Sequence, residues 1–377
     1  MKVAMQPLPR NLPSRRLHIV LAAAMVLASA LVGLDTLMWF RLEHLLDQKL
    51  DRFSTSARTS GWHFGAHAGQ RGGWPLSATL TLVRPALHGA NPAAPGGIDW
   101  SGERVILSLS PLHPHRLTIM AAGTQSLSLG RGAELPIVLR FWGARIALHV
   151  PPDADPSHTA HYLLDAEALH VGSPGAGPDD IAQLAQATGR LEWQPRNPAL
   201  GDHASAARRR DAYASISLDL RDIALPARLR ASGRVMQRAT LRMVLTGEPA
   251  ATRLPTFGHM HLTEASVDWG DSAAAMAGDA ALDAEGRANG SFDLALTRAD
   301  PALRQMGETG LIGPGTSTML RAVIGLIAVS QQEPKVHLPL TLQYGLLSLG
   351  RIPLLQVDPA LFLARTIPAE TPTMSIP

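Results

Sequence analysis

The chain has no cysteine. That absence excludes disulfides, thiolate metal sites, iron–sulfur ligation and a thiol nucleophile, and it suits an exported protein held together by a core rather than by cross-links. Lysine is almost missing as well: among 34 basic residues it occurs only at Lys2, Lys49 and Lys335, so the positive charge is carried by arginine. Aromatic residues make up 5% and charged residues 17% of the chain. Acids are missing from the first 16 positions, which hold Lys2, Arg10, Arg15 and Arg16, and beyond them the chain is close to neutral. The isoelectric point of 9.7 therefore describes one end of the protein and not a basic face for nucleic acid, so no nucleic-acid partner is expected. The motifs G-x-S-x-G, H-E-x-x-H, S-x-x-K, the P-loop and the dinucleotide G-x-G-x-x-G are all absent, which removes support from those enzyme classes. No repeat has a solenoid period.

What the chain does have is apolar bulk, 46% of its residues, and frequent turn formers, with 33 glycines and 29 prolines. From Ile19 to Phe40 only Ser29, Asp35 and Thr36 interrupt an apolar run. About 22 helical residues reach roughly 33 Å, enough to cross a bilayer core. The basic residues Arg15 and Arg16 precede it and Trp39-Phe40 closes it, the pattern of a span with a cytoplasmic N-terminus and membrane-interface residues at both ends. A cleaved secretory signal ending at Ala28-Ser29-Ala30 stays open as the alternative. Next, Leu42, Leu45, Leu46 and Leu50 lie roughly on one helical stripe, a stalk that continues the span.

In the body, apolar residues recur at every second position, the period of strands with one dry face and one wet face. The rows are Leu76, Ala78, Leu80 and Leu82; Val105, Leu107 and Leu109; Ile216, Leu218 and Leu220; Val235, Ala239, Leu241, Met243 and Leu245; and Val336, Leu338, Leu340, Leu342 and Tyr344. Pro339 inside the last row implies an edge or a bulge. Trp269-Gly270-Asp271, the Asp283 to Gly286 stretch and Asn289-Gly290 read as turns. Helical spacing is scarce. It appears from Asp179 to Thr188, and after Gly315, where Leu320, Val323, Ile324 and Ile327 follow at i, i+3, i+4 and i+7. The insert from Pro195 to Asp211, with Arg208, Arg209 and Arg210, reads as a surface loop.

The 15 histidines raise the question of a metal. His259 with His261, and His113 with His115, are spaced to share a strand face, with Glu264 or Asp268 near the first pair. The first pair falls on the polar phase of its strand, where a solvated imidazole is the ordinary outcome; Pro114 breaks the second; and His63 and His67 are no better placed. Asp279, Asp283 and Glu285 border turns, where carboxylates cap backbone. Trp62 and Trp74 suit either core packing or the membrane interface. No catalytic residue, metal ligand or cofactor site is assigned, and no enzyme is expected.

Several segments, taken in order, resemble the bacterial family called domain of unknown function 2125. They are Gly72-Gly73-Trp74-Pro75-Leu76; Trp100-Ser101-Gly102-Glu103-Arg104-Val105; Leu220 to Pro226; Trp269-Gly270 through Gly278 to Gly290; and Pro339 to Gln343 with Leu347 to Leu354. The resemblance implies one N-terminal membrane segment and a β-rich body in the envelope. More distantly, the glycine-punctuated strand pairs are similar to AsmA-like envelope lipid-transfer proteins.

The expected architecture is mainly β: a long curved antiparallel sheet, half-barrel or taco-like, with a few helices and one N-terminal transmembrane helix. The expected domains are a basic N-terminus (1–16), the anchor (17–40), the stalk (41–60), the β-rich domain (61–363) and a disordered tail (364–377). The expected placement is single-pass in the bacterial inner membrane with a periplasmic body. A sheet with one apolar face must cover it with a second layer or an apolar ligand. The expected role is to bind or shelter lipid on that face, its candidate lipid-facing residues being Leu76, Leu80, Leu82, Ile216, Leu218, Leu220, Leu241, Met243, Leu320 and Ile324. Inner-membrane lipids are the expected partner, and a scaffold recruiting an envelope protein is the alternative. Because the chain is free of cysteine, topology can be read directly: on spheroplasts, a membrane-impermeant maleimide is expected to modify Ser101→Cys and to spare Met5→Cys.

Overall fold

The computed structural model of the protein describes residues 14–59, 61–91, 94–129, 137–151, 159–194, 212–226, 235–248, 256–282, 288–298, 335–350 and 352–356, and the separate positions 318, 321, 322, 324 and 325. One helix, α1 (Ser14–Thr59), is followed by a run of strands. These are β1 (Trp62–Gly72), β2 (Ala78–Asn91), β3 (Ala94–Ser110), β4 (His113–Leu129), β5 (Ile137–Trp142), β6 (Arg145–Val150), β7 (Ala160–Gly172) and β8 (Ala182–Gln194). The second half contains β9 (Ala212–Ala224), β10 (Met236–Glu248), β11 (Thr256–Trp269), β12 (Ser272–Leu282), β13 (Ala288–Thr297), β14 (Lys335–Gln343), β15 (Leu346–Leu349) and β16 (Ile352–Gln356).

All sixteen strands form one antiparallel sheet in which sequence neighbours are sheet neighbours. The exception is a broken strand: β5 pairs with the C-terminal half of β4 and β6 with its N-terminal half, and both then pair with β7. Gly143 lies between the two pieces, and a Cβ there would sit 3.0 Å from the Glu167 carbonyl, a tight approach that favours glycine at the kink. Among the described residues β1 pairs only with β2 and β16 only with β15, so their strand pairing leaves the sheet open at both ends. Pro339, paired on the β13 side, lies one residue beyond the stretch of β14 that meets β15. A proline is tolerated more readily where one side of its strand has no partner.

Two expectations change. Asp179 to Thr188 is not a helix: one 3-10 turn at Pro178–Asp180 leads directly into β8. Pairing on both sides, Ala187 with Ala166 and with Leu220, outweighs weak helical spacing. Asn289-Gly290 lies inside β13 and is not a turn. Gly290 is needed there because a Cβ would meet the Asp279 carbonyl at 2.3 Å. The proposed turn at Trp269-Gly270-Asp271 is present, with Gly270 at φ +60°. Of the C-terminal helix, Thr318, Arg321, Ala322, Ile324 and Gly325 are helical; Leu320, Val323 and Ile327 lie outside the described residues, as do residues 364–377 and Arg208, Arg209 and Arg210.

α1 is one continuous helix whose N-terminal part is long and apolar enough to cross a membrane, with Met25, Val26, Leu34 and Leu37 exposed. Its later turns do not project freely as a stalk. Leu42 and Leu46 are buried against Ala78, Leu80, Leu82, Val105, Leu107 and Leu109 of β2 and β3. A second cluster gathers Leu262, Phe292, Ile324, Leu338, Leu340 and Leu349 near the other end. Leu46 and Leu338 are each 2% exposed. Truncating either to alanine is expected to cost about 2–5 kcal/mol, read as a lowered denaturation midpoint of the detergent-solubilised chain.

Candidate functional site

The strand registers align the alternating leucines into lines that cross the sheet. One line passes through Leu80, Leu107, Ile119, Leu148, Leu164 and Gly189, each residue being the cross-strand partner of the next. It continues through Leu218, Leu241, Ala265, Met276, Leu294 and Leu338. Twelve strands thus contribute one residue each and none is polar. A second line, two residues away, runs from Tyr162 through Leu191, Ile216, Met243, Leu262, Gly278, Phe292 and Leu340 to Leu349. Gly278 is required in it, because a Cβ would lie 2.7 Å from Phe292. A third joins Ile146, Ala166, Ala187, Leu220, Ala239, Val267, Ala274, Leu296 and Val336. Since side chains alternate across a strand, these lines define one continuous apolar face.

The candidate residues divide by what covers that face. Leu80 and Leu82 are sealed under α1. Ile324 is buried on the far cluster, with Leu241 and Met243 packed against that cluster and half-buried. Leu220 packs on a small central cluster of Ile146, Ala166 and Ala187. Ile216 and Leu218 are half-buried in the middle of the sheet and belong to none of the three clusters. Leu76 is a correction: it precedes β2 in a turn and is 80% exposed, so it does not line the apolar face. The Ser77 N–H donates to the Gly73 carbonyl at 2.9 Å, and this turn takes the residue out of the strand although its phase continues the row. Of the residues proposed for the membrane interface, Trp39 is half-buried and its indole N–H donates to the Gly72 carbonyl at 3.4 Å; Phe40 is exposed, with its ring 5.1 Å from that of Trp39. Arg15 and Arg16 lie in α1, but their side chains are outside the described residues.

The opposite face is polar and cross-braced. Arg145 meets Asp165 at 3.0 Å and Glu167 at 3.5 Å, Arg242 meets Glu264 at 3.0 Å, and His337 meets Asp293 at 2.7 Å. His261 Nδ1 lies 2.6 Å from an Asp279 carboxylate oxygen. Among the described residues no group of three or more potential metal ligands occurs. Trp62 lies over Gly89 of β2, and Asp283 and Glu285 are outside the described residues. A hollow of about 450 Å³ opens on this polar face, lined in part by Arg116, His149, Asp165, Arg190, Asp219 and Arg242. The described hollow thus lies behind the apolar face, not on it. Alternation alone does not reveal it, because its charged residues come from strands far apart in sequence. Burial would raise the Asp219 carboxyl, but hydrogen bonds from Arg238 and Arg221 and their charges outweigh it and hold Asp219 below the usual carboxylate range. With Asp165, Asp219 and Arg242 already paired, Arg116 and Arg190 remain as cations with no ion-pair partner among the described residues.

The chain belongs to a family of uncharacterised proteins conserved in bacteria, domain of unknown function 2125, which it matches over residues 39–358. No curated protein and no solved structure matches it. The matched stretch begins at Trp39, so it includes the turns of α1 that pack on the sheet as well as the sheet itself.

The hollow carries a pH dependence. Burial, and then the charges of Arg116 and Arg145, lower the His149 pKa against a smaller opposing effect of Asp165. The unfolded chain therefore takes up this proton more readily than the folded one, and stability falls as pH drops through the ordinary histidine value of about 6.5. His149→Gln is expected to shrink the loss of thermal stability between pH 7 and pH 5, read by thermal denaturation at both pH values.

Proposed function

We propose that this member of the family is a single-pass protein of the bacterial inner membrane. Its N-terminus lies in the cytoplasm, and its periplasmic sheet shelters or passes lipid acyl chains along the apolar face. The observation that carries the reading is the unbroken apolar line from Leu80 to Leu338. A sheet face of that kind requires a second layer, and among the described residues α1 covers one end and the Ile324 helix part of the other. Lipid fits the remainder because α1 leaves the bilayer and lands directly on this face, so hydrocarbon and sheet share a continuous apolar path through Leu42 and Leu46. The basic residues ahead of the span support the orientation. The role needs no catalytic group, and the protein acts as a binding or transfer protein rather than an enzyme. A scaffold role would use the polar face instead, where Arg116 and Arg190, cations without an ion-pair partner among the described residues, would face an acidic envelope protein.

Site-specific photo-crosslinking in intact cells separates the two. A photoreactive residue at Leu218 is expected to form adducts of phospholipid mass, and one at Ser217, on the opposite face, to form none. Adducts from Leu218 confined to the chain itself or to another protein would remove the lipid reading.

A further inference from the structure

We infer that two neighbouring hairpin tips, the β1–β2 turn carrying Trp74 and Leu76 and the β3–β4 turn carrying Leu112, insert into the headgroup region of the same bilayer that α1 crosses. The inference uses the span of α1 but does not depend on lipid riding on the sheet.

The geometry comes from how β1 lies along the helix. Phe64, near the start of β1, packs edge-on to Phe53 with ring centres 5.4 Å apart. Near the end of β1, Arg71 reaches Glu43 at 3.4 Å and Asp47 at 3.0 Å, and the Gly72 carbonyl accepts the Trp39 indole N–H. β1 therefore runs antiparallel to α1 and reaches the level of Trp39, in the last turn of the apolar run. The chain then continues past that level through Gly73, Trp74, Pro75 and Leu76 and turns back at Ser77. Gly73 makes the reversal possible: it sits at φ +93°, and a Cβ there would be 2.5 Å from the Ser77 carbonyl. The second tip reaches the same end, since Ala78 at the start of β2 is the partner of Leu109 close to the end of β3.

These tips are built unlike a wet surface. Trp74 is 52%, Leu76 80% and Leu112 84% exposed. Residues 72–77 and 111–112 include no charged side chain. Hairpin tips in water normally carry Asp, Asn or Ser beside their Gly and Pro. A Trp with large aliphatic neighbours, next to a helix entering a membrane, has instead the chemistry of the boundary between headgroups and acyl chains. The occupant is thus the bilayer surface, and the contact fixes the tilt of the sheet at a second place beyond the helix.

The absence of cysteine makes depth measurable on the full chain in phospholipid nanodiscs. Nitroxides on Leu76→Cys and Leu112→Cys are to be compared with Leu34→Cys inside the span and with Thr341→Cys, an exposed position on β14. The expected result is that labels at 76, 112 and 34 collide more with dissolved oxygen than with a water-soluble nickel chelate, and the label at 341 does the reverse. Labels at 76 and 112 that favour the nickel chelate as 341 does overturn the inference whatever position 34 reports. Gly73→Ala, which distorts only the first tip, is expected to move the label at 76 toward the nickel chelate and to leave that at 112 unchanged; no change at 76 counts against the geometry.

Discussion

The packing of Leu42 and Leu46 against Leu80, Leu82 and Leu107 does two jobs at once. It supplies the second layer that the first strands need, and it packs the C-terminal turns of the long apolar helix and the first strands of the sheet into one unit. A stripe of leucines four residues apart reaches across two strands about 5 Å apart, so a few side chains suffice. The ion pairs from Arg71 to Glu43 and Asp47 and the Trp39–Gly72 hydrogen bond register the two elements along their length. The exposed pairs contribute little energy, so the leucines hold the joint and the polar contacts set its register.

Beyond that joint the sheet grows by local rules. Most strands pair with a sequence neighbour across a short connection, which keeps the loop-closure cost low; the long connections are those from β8 to β9 and from β13 to β14. The irregularities have local causes: glycine at the kink between β5 and β6, glycine beneath Phe292, and proline one residue beyond the reach of β15. The two faces obey different physics. The polar face is crossed by charged pairs that are worth little each but exclude wrong registers by placing like charges opposite one another. The apolar face has no such selectivity and relies on whatever covers it.

Much of this was legible from side-chain period. The rows around Leu80, Leu107, Leu218, Leu241 and Leu338 each lie on one strand face, as alternation requires, and α1 follows from an apolar run followed by a stripe. Other residues were misread for definite reasons. Leu76 keeps the phase of its row but is held in a turn by the Gly73–Ser77 hydrogen bond. Ala182 to Thr188 suits a helix by spacing and becomes a strand because it has partners on both sides. The contribution of Leu148 and Leu164 to the apolar face, and that of Arg116 and Arg190 to the hollow, depended on neighbours far away in sequence.

A one-dimensional pattern records which side of a strand each residue faces, because backbone geometry makes successive side chains point opposite ways whatever lies next door. By itself the sequence therefore determined the membrane-length helix, the antiparallel β character and the two-faced strands of the body. Only the tertiary structure decided that the apolar sides join into one line twelve strands long, that the helix seals one end of it, and that the hollow lies behind it. Register is a relation between two chains of atoms, and a single strand contains no information about its partner's offset.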